Sequence, residues 1–159
     1  MKTLLLGMGN PILCDDAVGV RLAHEFSCKL AGIAGLDILE ECCVGGLNLL
    51  DIFKGYDRVI VLDSIQTADG VAGDWYYFTA SALHETLHLT NIHDVNFATA
   101  LEFGRAAGMP LPISSNIHIL AVEVSETRTF AEQMTRELES TYGRFAPAIF
   151  EEVTNLLRT

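Results

Sequence analysis

Basic side chains are scarce in this sequence: 10 Lys and Arg stand against 21 Asp and Glu in 159 residues, a formal net charge of −11. That balance argues against nucleic acid as a partner, because its phosphates would be repelled, and equally against an anionic membrane surface. Long hydrophobic runs are missing too. No apolar stretch reaches the roughly 20 residues of a membrane-spanning helix. The apolar run at the N-terminus ends after Leu4-Leu5-Leu6 at Gly7, so it reads as a first strand rather than a signal peptide. The four cysteines (Cys14, Cys28, Cys42 and Cys43) form no C-x-x-C pair, and vicinal Cys42-Cys43 cannot easily bridge each other. Free thiols and a cytoplasmic location are the expectation. No repeat, low-complexity tract or domain boundary is visible. What is present is a chain that is 50% hydrophobic, enough for one domain with a real core spanning residues 1–159.

The first twenty residues organise that domain. Leu4 to Leu6 have the pattern of a strand buried on both faces of a parallel sheet. Gly7 and Gly9 allow a sharp turn, Asn10-Pro11 breaks regular structure, and Asp15-Asp16 leads into a helical pattern with Val18, Leu22 and Phe26 on one face. A glycine-rich turn between a strand and a helix raises a dinucleotide site, but G-x-G-x-x-G would need glycine where Ile12 stands. Two aspartates at the helix N-terminus would also oppose a phosphate. One aspartate can serve as an N-cap. The second is left over, at the strand-to-helix handover where open α/β sheets keep their chemistry.

Further strands are expected at 36–42, with one polar face, at 57–63, at 74–79 and at 117–124. The aromatic segment 74–79 follows too short a return for a crossover helix, which predicts an antiparallel edge strand. Helices are expected through Leu47, Leu50 and Phe53, stopped at Gly55, and from His93-Asp94 through Phe97, Leu101 and Gly104. Met134 and Leu138 mark another, and Phe145, Ile149, Phe150, Val153, Leu156 and Leu157 form an amphipathic stripe after a break at Gly143. The alternation predicts an α/β fold: a single doubly wound, mostly parallel five-stranded sheet with helices on both faces and one antiparallel strand. The 57–63 strand ends on Asp63. If it neighbours the first strand, Asp16 and Asp63 share a crevice at the carboxyl edge of the sheet.

Two metal constellations compete. His84-Glu85-Thr86-Leu87-His88 matches H-E-x-x-H, whose histidines share a zinc ion when the segment is helical, with His93 or Glu102 as third ligand. Threonines and β-formers make that helix weak. The other set is Asp16, Asp63 and His93, a mixed oxygen and nitrogen group suited to a borderline divalent ion. No Ser-His-Asp or Cys-His arrangement stands out, and Cys14 has no nearby histidine to activate it.

The stretch Gly7-Met8-Gly9-Asn10-Pro11-Ile12-Leu13-Cys14-Asp15-Asp16-Ala17-Val18-Gly19-Val20 resembles the opening motif of the hydrogenase maturation proteases. Val59-Ile60-Val61-Leu62-Asp63 and His93-Asp94-Val95-Asn96-Phe97 fit the same family. The resemblance implies an endopeptidase of the aspartic, carboxylate-assisted type. Its partner would be the precursor of a nickel-iron hydrogenase large subunit, trimmed at its C-terminal tail. It further implies that Asp16, Asp63 and His93 are both the catalytic and the metal-contacting set. The nickel would be carried by the substrate as a recognition handle, with zinc or cadmium able to substitute. Relatives in which the first acid is Glu would reach one methylene further than Asp16. The alternatives left open are a zinc peptidase built on His84, Glu85 and His88, and a non-catalytic flavin or nucleotide binder of the same fold.

Overall fold

Strand β1 (Thr3–Met8) is buried along its whole length, as its leucine run demands. It lies in a computed structural model that describes the backbone of residues 1–84 and 92–159 and the side chains of 1–82 and 97–159. Beside it run β2 (Leu36–Cys42), β3 (Arg58–Ile65), β4 (Trp75–Thr79) and β5 (Ile117–Glu123), joined in one sheet in the order β2-β1-β3-β5-β4. All pairings are parallel except β4 with β5, the antiparallel edge expected from the short return.

Alternation along each strand sorts the core into two layers. Leu4, Leu6, Val59 and Val61 face α2 (Asn48–Phe53) and α3 (Ile92–Ala106), where Phe53 packs edge-on against Phe97. Leu5, Ile60, Leu62 and Leu120 face α1 (Val18–Lys29) and α4 (Arg136–Arg158). The chain leaves β1 through α1 to reach β2 on one side, then returns through α2 to place β3 on the other. That reversal makes the gap between β1 and β3 the topological switch point, where open α/β sheets bind ligands. Gly19 lets α1 start tight against this gap, since a β-carbon there would land on the carbonyl oxygens of Leu62 and Met8.

Three expectations are corrected. First, β3 runs two residues past Asp63, because Ser64 and Ile65 stay in register with Val122 and Glu123. Second, the final helix does not break at Gly143: α4 is continuous, with Pro147 inside it, and Met134 lies before its Thr135 cap. The buried stripe Leu138, Phe145, Ala146, Ile149, Val153 and Leu156 keeps one helical period across Gly143. Burial of that stripe outweighs the local cost of glycine and the bond lost at proline. Third, Leu47 is outside α2 and exposed, the buried positions there being Leu49, Leu50 and Phe53.

Gly143 is exposed, helical, and has open space where a β-carbon would go. Gly143→Ala is therefore expected to stabilise the protein by about 0.5–1 kcal/mol. Urea unfolding should show a higher midpoint at unchanged slope; a lower midpoint would mean the residue serves some other contact.

Candidate active site

Asp15 and Asp16 sit side by side on a 3₁₀ turn (Cys14–Ala17) that leads into α1, and they do different jobs. Neither caps this turn or α1 through its side chain, contrary to the capping expectation. Asp15 is fully buried and looks away from the site. Its Oδ1 accepts from the Thr135 backbone N–H (2.7 Å), and its Oδ2 from the Thr135 hydroxyl (3.0 Å) and the Glu126 N–H (3.2 Å). Thr135 in turn caps α4 by accepting from Leu138. Asp15 is thus a fastener between the opening turn and the last quarter of the chain. A bridge between Leu13 and Ala131 closes the same junction.

Asp16 turns the other way. Its Oδ2 accepts from the Asn10 N–H (2.8 Å) and its Oδ1 from the Ser64 hydroxyl (2.8 Å). Gly9, at φ +129°, is obligatory here, because a β-carbon would land on the carbonyl oxygen of Asp16. Asp63 lies in the neighbouring strand, mostly buried, with Oδ1 accepting from the Ser64 N–H (2.7 Å). Asp16 and Asp63 line one cavity of about 150 Å³, shared with Gly9, Asn10, Cys42 and Cys43. The two carboxylates read from the sequence therefore do meet at the carboxyl edge of the sheet.

Sequence reasoning missed the strand-β2 end that supplies Cys42 and Cys43 to the cavity wall, and it missed Ser64. A hydroxyl placed directly after a strand-end acid was the available signal for Ser64. Neither cavity thiol is primed for attack. Burial pushes the Cys42 thiol up, and the Asp63 charge adds to it; burial likewise raises Cys43, helped by Glu41. Cys14 is raised by burial and then by Asp15. A thiol held protonated is a poor nucleophile. His118 is a packed residue of β5: it pairs with the Tyr77 hydroxyl through Nδ1 (2.9 Å), and burial with the nearby Arg58 charge lowers its pKa.

His93 is the second residue of α3, the helix packed on the sheet face toward which Asp63 alternates. Its side chain lies outside the described residues, as do that of His84 and the whole of Glu85 and His88, so the H-E-x-x-H segment is not described. His84 ends a 3₁₀ turn (Ala80–His84). Among the described residues, no three His, Cys, Asp or Glu side chains converge to hold an ion by themselves. Nor is any helix among them long and apolar enough to cross a membrane.

Fold and site together define an α/β protein with an acidic pair at its switch point, and the architecture is the one solved for hydrogenase maturation endopeptidases. The hydrogenase maturating endopeptidase HybD of E. coli matches with a TM-score of 0.75 at 22% identity, covering 99% of this chain and 93% of that one. The [NiFe] hydrogenase maturation protease HybD of Thermococcus kodakarensis matches with a TM-score of 0.70 at 19% identity, covering 96% and 99%. HycI of the same organism matches at 0.61 and 19%, covering 99% and 93%. No protein-family model matches the chain, and no curated protein matches it by sequence.

Proposed function

We propose that this protein is an endopeptidase that removes the C-terminal extension of a nickel-iron hydrogenase large-subunit precursor after nickel insertion. The observation that carries this reading is the pairing of Asp16 and Asp63 in one cavity at the switch point of this fold. Two carboxylates, with His93 as a third donor, are the mixed oxygen and nitrogen set that suits a borderline divalent ion carried in by the substrate. By their chemistry these oxygen and nitrogen donors suit such an ion, and zinc or cadmium would suit them equally. Held by Asp16, Asp63 and His93, such an ion would supply polarisation of the neighbouring peptide bond and help to hold it in place.

The protein's own part is to hold the scissile segment and to move a proton. Asp16 and Asp63 are the candidate general bases, Asp16 held by the Asn10 N–H and the Ser64 hydroxyl and Asp63 by the Ser64 N–H. The raised thiol pKa values of Cys42 and Cys43 disfavour a cysteine nucleophile in the same cavity.

The test is cleavage of a nickel-loaded precursor, read as a small mobility shift. His93→Ala is expected to abolish the shift while His84→Ala keeps it. The reverse pattern would install the zinc peptidase instead. No cleavage of the cognate precursor by the unaltered protein would sink the reading, and a yellow protein or one stabilised by nucleotide would favour a binding module.

A further inference from the structure

We infer that Ser64 is a positioning residue that locks the Asp16 carboxylate relative to Asp63 for the cleavage step, an inference that rests on the proteolytic reading above. Ser64 is bonded to both acids at once. Its backbone N–H donates to Asp63 (2.7 Å) and its hydroxyl to Asp16 (2.8 Å). The alternation of β3 makes this possible: residue 63 faces the α2–α3 layer, residue 64 the α1 layer, and Asp16 stands on the turn that opens α1. The two acids therefore arrive from opposite faces of the sheet, and Ser64 ties them together at its edge.

The second anchor of Asp16 is the Asn10 N–H on its other oxygen. With both oxygens held, the plane of the carboxylate is fixed. With the hydroxyl removed, one anchor remains and the group is free to turn about χ2 and to sample other χ1 wells. Ser64 does not line the cavity, and it is itself buried, so its effect is exerted through Asp16 and not on the substrate. The short aspartate side chain makes this anchoring consequential, since it has little length with which to compensate a misplaced carboxylate.

Ser64→Ala and Ser64→Thr test the idea. Alanine deletes the hydroxyl and keeps the backbone donor to Asp63; threonine keeps both. Side-chain couplings of Asp16 in solution should report one χ1 rotamer in the unaltered protein and in Ser64→Thr, and averaging in Ser64→Ala. With nickel-loaded precursor, Ser64→Ala should lower kcat about tenfold with KM nearly unchanged, and threonine should restore it. A single Asp16 rotamer in Ser64→Ala, or an unchanged kcat, overturns the inference. If the unaltered protein does not cleave the precursor, the rotamer data still decide the role of Ser64, and the proteolytic reading falls separately.

Discussion

Asp63→Asn is expected to lower cleavage of a nickel-loaded precursor by about a thousandfold while leaving the fold intact. The substitution keeps the shape of the side chain and an oxygen that can accept from the Ser64 N–H, as Asp63 does now. What it removes is the charge, and with it a base for the attacking water and a strong ligand for a divalent ion. Losses of about 10²–10⁴ are typical when a positioned proton acceptor is removed. The measurement is the initial rate of precursor conversion, alongside circular dichroism to confirm folding. A rate within about tenfold of the unaltered protein would remove Asp63 from the chemistry, since that is less than such a group usually contributes.

The second large effect separates the two adjacent aspartates. Asp15→Ala is expected to destabilise the protein by about 3–4 kcal/mol, because it removes a fully buried acceptor shared by several donors. The Thr135 N–H and hydroxyl and the Glu126 N–H would all lose their partner. Asp16→Ala should cost less stability, because Asp16 is itself only partly buried and accepts from just the Asn10 N–H and the Ser64 hydroxyl, yet abolish cleavage. Urea unfolding of the two variants checks this directly. Equal midpoints would mean that the fastening assigned to Asp15 is not needed.

This contrast also marks how far the sequence could be read. The strand pattern, the sheet class and the antiparallel edge are written locally, in the leucine run of β1, the branched run of β3 and the aromatic alternation of β4. So was the meeting of Asp16 and Asp63, which needs only that β1 and β3 be neighbours. The role of Asp15 was not legible, because its partners come from residues 110 to 120 positions away, and a local rule offers an N-cap instead. Ser64 was hidden for a related reason. Ending the strand at Asp63 turned the next residue into loop, whereas two more rungs of ladder with β5 give it a face and a direction. Gly143 is a breaker only by its local propensity, which the buried stripe on either side of it overrides.

The junction between Asp15 and Thr135 has a bearing on how the molecule is made. During synthesis the opening turn emerges first, and its fastener follows 120 residues later. Until then the two acids have their strand and their glycines but no closing partner on the far side, and contacts of such wide sequence separation form late. The working geometry is thus withheld from the nascent polypeptide until Thr135 has joined it.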